Sequence, residues 1–121
     1  MATVRLLVDD VATCVAFYVD ALGFEEIERY GPAMAIVRSG DLDIWLAGPA
    51  SSAARPMPDG RQPEPGGWNR IVLTTHDLGP YVERLRSTGA VFRNDIVEGP
   101  GGKQIVLEDP AGNPIELFEP A

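Results

Sequence analysis

The chain has 121 residues, 45% of them hydrophobic and 23% charged, with 18 acidic against 10 basic side chains and a net charge of −8. That length supports one domain with a real core. The acidic balance, without any Lys/Arg cluster, argues against nucleic acid and against anionic membrane surfaces, and reads as solubility. No apolar run is long enough to span a membrane, and the first residues lack the basic-then-apolar pattern of a secretory signal. The one cysteine, Cys14, cannot close an internal disulfide, which fits a reducing, cytoplasmic setting.

Residues 4–8 read as an apolar strand ending at Asp9-Asp10. The pattern over 11–22 predicts an amphipathic helix stopped by Gly23, with Asp9-Asp10 as its N-terminal cap rather than a carboxylate dyad. Cys14 falls among Val11, Ala12, Val15 and Ala16 on that helix and reads as a buried structural thiol. Three strands follow, at 25–30, 34–38 and 42–46, separated by turns at Gly31-Pro32 and Ser39-Gly40-Asp41.

The same order then returns. Residues 70–75 form a strand, 78–87 a helix with Pro80 in its first turn and Gly89 just past its end, and 91–97, 104–108 and 115–118 three further strands. The landmarks recur at an offset of about 66 to 67 residues, a repeat in its own right. Between the copies, residues 49–67 are dense in Pro, Ser, Ala and Gly and read as a linker or covering loop. Gly99-Pro100-Gly101-Gly102 joins two strands, lacks a following helix, and reads as a hairpin connection rather than a phosphate loop. His76 sits at the outer end of its strand, as a surface or capping residue.

The expected organisation is therefore a single domain over 1–121, of class α+β, made of two βαβββ modules at 1–48 and 68–121. One helix covers one face of each small sheet. Strand alternation puts Val4, Leu6, Val8, Leu42, Ile44, Leu46, Ile71 and Leu73 beneath the helices. The opposite faces then carry Thr3, Arg5, Asp43, Trp45, Arg70, Thr74, Glu116 and Phe118. That mixture of charge and aromatic surface suits a ligand cavity better than a dry core.

The stretches Val8-Asp9-Asp10, Phe17-Tyr18 and Leu22-Gly23-Phe24, with the tail Glu108-Asp109-Pro110-Ala111-Gly112-Asn113-Pro114-Ile115-Glu116-Leu117, carry a resemblance. The chain resembles the vicinal oxygen chelate superfamily of glyoxalases, bleomycin-resistance proteins and extradiol dioxygenases. The likeness covers all but the linker. It implies paired βαβββ modules whose mixed sheets curl around a cavity, commonly in a homodimer. In metal-dependent members, it implies a divalent cation held by His, Gln or Glu side chains on the first and last strand of each module.

Those positions map onto Thr3, Trp45, Arg70 and Glu116, of which only Glu116 is a usual ligand. Trp45 offers only an N–H donor, and Arg70 is a permanent cation. No metal or other cofactor is therefore expected, and Arg70 is expected to take the cation's place and pair with Glu116. The expected function is metal-independent binding of a small organic ligand, aromatic or cationic, which the protein sequesters or processes. The alternative is an enzyme of the same superfamily, a lyase, isomerase or dioxygenase. It would be either metal-free, with Glu116 as acid or base and Arg70 as oxyanion stabiliser, or dependent on a divalent metal.

Overall fold

The structure is a computed structural model that describes residues 1–121. The chain divides into two compact units, Met1–Gly66 and Gly67–Ala121. Each is a small sheet with one helix laid against it, as the repeat predicts, and neither sheet closes into a barrel.

In the first unit β1 (Ala2–Leu7) leads into α1 (Val11–Ala16), followed by β2 (Glu25–Tyr30), β3 (Met34–Ser39) and β4 (Leu42–Ala47). The strands lie in the order β1-β4-β3-β2, with β1 parallel to β4 and the other pairs antiparallel. The helix starts where Asp10 accepts a hydrogen bond from the Thr13 amide at 3.1 Å, so the acidic pair is a cap, as expected. Val11, Cys14, Val15 and Tyr18 recur at helical spacing and are buried on the face that packs over β3 and β4. Beneath them lie Ala35, Val37, Ile44 and Leu46, all fully buried.

The helix is not regular to its end. Residues Phe17–Ala21 form a π-helical turn, closed by the Phe24 amide donating to the Tyr18 carbonyl at 2.9 Å. The wider turn leaves the Tyr18 ring edge-on between Phe17 and Phe24, each centroid 5.5 Å away. Gly23, at φ 75°, then reverses the chain in a left-handed conformation that costs other residues strain.

The segment expected as a linker packs with the first unit. It contains a 3₁₀ turn at Ser52–Ala54, and the Gln62 amide donates to the Ala54 carbonyl at 2.8 Å. Leu7, Val8, Pro49, Ala54, Pro63 and Pro65 line a small crevice beneath it.

In the second unit β5 (Ile71–Thr74) and α2 (Leu78–Ser87) are followed by β6 (Val91–Phe92), β7 (Val97–Gly99), β8 (Gly102–Glu108) and β9 (Pro114–Pro120). The sheet runs β5-β9-β8-β6, with β7 also pairing with β8, and β5 parallel to β9. The single strand expected over 91–97 is broken. Asn94 Oδ1 accepts from the Val106 amide at 2.9 Å, taking a bond that a strand carbonyl would otherwise receive. Arg70, expected inside the strand, lies one residue before it.

Residues 99–102 do form a hairpin connection, with Gly99 opposite Gly102. Gly102 has φ 144°, and a Cβ there would collide with the Glu119 carbonyl. The start of α2 is capped from a distance: Glu119 Oε1, on β9, accepts from the Leu78 amide at 2.8 Å, while Asp77 makes no side-chain cap. His76 is exposed just ahead of it.

Candidate ligand-binding faces

Strand register decides which side chains share the face opposite each helix. In the first unit Thr3 lies across from Asp43 and Arg5 across from Trp45, with Ile36 beside Trp45 on β3. These residues alternate with Val4, Ile44 and Leu46, whose side chains go beneath α1, so all five point to the other side. The expected grouping of Thr3, Arg5, Asp43 and Trp45 is thus present on one face.

Their charges are settled differently. Asp43 is only 7% exposed, and Arg38 grips it in a two-pronged pair, Nε to Oδ1 at 2.6 Å and Nη2 to Oδ2 at 3.0 Å. The Arg38 hydrogen bonds hold the Asp43 carboxyl below its ordinary range. Arg38 was not singled out from the sequence. Its signal is the tight β3–β4 hairpin, which places it directly opposite Asp43. Arg5 has no carboxylate; its guanidinium carbon sits 5.0 Å from the centre of the Trp45 ring.

In the second unit Glu116 on β9 lies across from Val72, and Phe118 across from Thr74. Arg70 precedes Val72 by two residues and reaches Glu116 diagonally. Its Nε and Nη2 are each 3.0 Å from Glu116 Oε1. Glu116 is 8% exposed, so its charge is compensated where water is scarce. Arg70 keeps one further, longer bond from Nη1 to the Trp68 carbonyl at 3.4 Å. Arg70, Thr74, Glu116 and Phe118 therefore share a face, as expected, and the Arg70–Glu116 pair forms.

A second arginine in this unit was also missed. Arg93 donates to Glu108 Oε2 at 2.8 Å, to the Gly67 carbonyl at 2.7 Å and to the Gly112 carbonyl at 3.0 Å. Its guanidinium carbon lies 4.5 Å from the centre of the Trp68 ring. It ties the first residues of the unit to the β8–β9 turn. That turn is itself organised by buried Asp109, which accepts from the Ala111 and Asn113 amides at 2.9 Å each.

The donor set can be tested against a divalent cation. Thr3 and Trp45 supply no carboxylate to the first unit, and in the second the carboxylate of Glu116 is already held by the Arg70 guanidinium. Nowhere do three or more His, Cys, Asp or Glu side chains converge as a metal site would require. These four residues do not fit the ion. No helix is long and apolar enough to cross a membrane.

Known structures share this fold along the whole chain. A superfamily member from Sphaerobacter thermophilus DSM 20745 is 28% identical, with a TM-score of 0.78, covering 98% of this chain and 95% of that one. Lactoylglutathione lyase from Agrobacterium tumefaciens is 21% identical at a TM-score of 0.75, covering 98% and 92%. The fosfomycin resistance protein FosX from Listeria monocytogenes, complexed with Mn(II) and sulfate, is 18% identical at 0.76, covering 100% and 90%. At these two lower identities the likeness is one of fold. No protein of curated function matches the chain. The family model of the Glyoxalase/Bleomycin resistance protein/Dioxygenase superfamily matches residues 1–117. With both βαβββ units and the tail inside that match, the chain belongs to this superfamily.

Proposed function

We propose that this protein is a metal-independent small-molecule binder of the glyoxalase/bleomycin-resistance type, which sequesters or processes a small organic ligand. One observation carries the reading. Arg70 stands where a metal ligand is expected and spends its charge on Glu116, the one carboxylate of the set, through two 3.0 Å contacts. A guanidinium has no lone pair to offer a divalent ion, and this one takes the cation's place beside Glu116. Phe118 is on the same face as that pair, and Trp45 is on the face of the first unit. Each adds aromatic surface to its own unit, of the kind that lines small-molecule sites.

The test is elemental analysis of protein purified without chelators, alongside ligand titration with and without EDTA. The expected result is no stoichiometric metal and binding that EDTA leaves unchanged. About one Ni, Zn, Fe or Mn per chain, lost together with binding, overturns the proposal. The same reading has the protein working as a cytoplasmic homodimer. Native mass spectrometry at micromolar concentration checks the dimer, and a monomer removes that part.

A second reading is favoured by the partial exposure of Arg70 beside a buried carboxylate. Glu116 accepts a proton from a bound substrate while Arg70 stabilises the oxyanion that results. Under this reading Glu116→Gln abolishes turnover and spares binding. Retained turnover removes the mechanism and leaves the binder.

A further inference from the structure

We propose that the face of the first unit binds an organic oxyanion, a carboxylate or phosphoryl group on a small apolar body, and that Arg5 is the residue that recognises it. The inference rests on the metal-free small-molecule reading above and narrows it to a ligand class.

Of the arginines on the faces opposite the helices, three are already committed: Arg38 to Asp43, Arg70 to Glu116 and Arg93 to Glu108. Arg5 differs: its register partner on β4 is Trp45, an indole, and its one close partner is that ring. In a chain with 18 acidic residues, none forms an ion pair with this guanidinium. A ring under a guanidinium attracts it through the π face and leaves the planar fork of N–H donors unspent. The stack also restricts the side chain, so less freedom is lost when a ligand binds. Arg5 is thus an oriented, uncompensated donor set shaped for two oxygen atoms.

The surroundings select the sign of the ligand. Trp45 is the aromatic residue a cationic compound would seek, but a guanidinium already stands over it, and a second cation would meet like charge. The carboxylate nearest in register, Asp43, is neutralised by Arg38 and does not compete for Arg5. The Thr3 hydroxyl lies on the same face two residues before Arg5 and can donate to the same oxyanion. Ile36, next to Trp45 on β3, offers apolar contact to the ligand's body. The expectation of a cationic ligand is replaced by that of an anionic one.

The experiment uses Trp68→Phe protein, in which Trp45 is the sole tryptophan and reports on its own face. Its emission is titrated with benzoate, phenylphosphonate, benzamide and benzylamine, a set that varies charge on a constant ring. The expected result is a response to benzoate or phenylphosphonate at a Kd at least about 10-fold below that of benzamide, weakened by salt. Whichever anion binds tighter identifies a carboxylate or a phosphoryl ligand. Arg5→Gln weakens anion binding about 10-fold or more, and Arg5→Lys falls between the two, keeping the charge and losing the fork.

Equal binding of benzamide, a preference for benzylamine, no response to either anion, or anion binding untouched by Arg5→Gln each overturns the inference. Tight benzamide or benzylamine binding without metal leaves the metal-free reading standing. Anion binding that needs an added divalent cation and survives Arg5→Gln removes both.

Discussion

The two units share a backbone plan and differ in how they spend an arginine. In each, the first strand runs parallel to the last, and an arginine on or beside that first strand reaches a residue at the middle of the last. In the second unit the target is a carboxylate, Glu116, and the charge is consumed. In the first unit the corresponding residue is Trp45, and the charge of Arg5 is merely shelved on a ring. The arginines are not repeat equivalents either. Thr3 takes the place of Arg70 and Val72 that of Arg5, so one unit reaches diagonally and the other straight across. Repetition has kept the scaffold and let the chemistry diverge, as expected when function sits in side chains and stability in the sheet and helix.

The scaffold half of that comparison breaks most visibly in the cores. Leu46 beneath α1 and Leu117 beneath α2 are both fully buried. Truncating either to alanine should cost about 2–5 kcal/mol in a urea melt. A loss near zero at one of them would show that its unit is not built as described.

Next in size is the committed pair. A double-mutant cycle on Arg70→Met and Glu116→Gln should give a coupling of about 1.5–3 kcal/mol, the range for a charged hydrogen-bonded contact away from bulk water. The same cycle on Arg5→Met and Trp45→Leu should give about 0.5–1 kcal/mol, the range for an exposed cation–π contact. Reversed magnitudes would overturn the distinction between a spent and a shelved arginine.

Smaller still is a pH effect confined to the first unit. Arg38 holds the Asp43 carboxyl below its ordinary value of 3.8, so the unfolded chain takes up the proton first as acid is added. The stabilisation is fully present above about pH 4 and is lost as pH falls through the lowered folded value. Acid titration of unfolding midpoints should show this loss, and Arg38→Gln should flatten it. The exposed Glu26–Arg29 pair shifts Glu26 in the same direction. Being solvated on an edge strand, it should leave the midpoint unchanged when Glu26 becomes Gln.

Much of this was legible in the sequence, because alternation and helical spacing are local. Both helices, the facing of Arg5, Trp45, Arg70 and Glu116, and the Asp10 cap all follow from neighbours a few residues apart, and the repeat is the recurrence of those local patterns. The features that escaped are those a local pattern does not encode. The π-helical turn at Phe17–Ala21 keeps the same apolar spacing as a regular helix. The break after Phe92 needs Asn94 to meet the Val106 amide, 12 residues on. Arg93 carries no local signal, and its three partners are brought to it only by the folded sheet. Arg38 was within reach, since the two-residue turn Gly40-Asp41 between β3 and β4 sets the register that puts it on Asp43.

The long-range cap on α2 bears on the order in which the second unit assembles. The Leu78 amide has no partner of its own until Glu119 arrives, 41 residues later in the chain. The first turn of the helix is therefore completed only when β9 is in place between β5 and β8. In hydrogen exchange the Leu78 amide should report the docking of the last strand rather than the local stability of the helix.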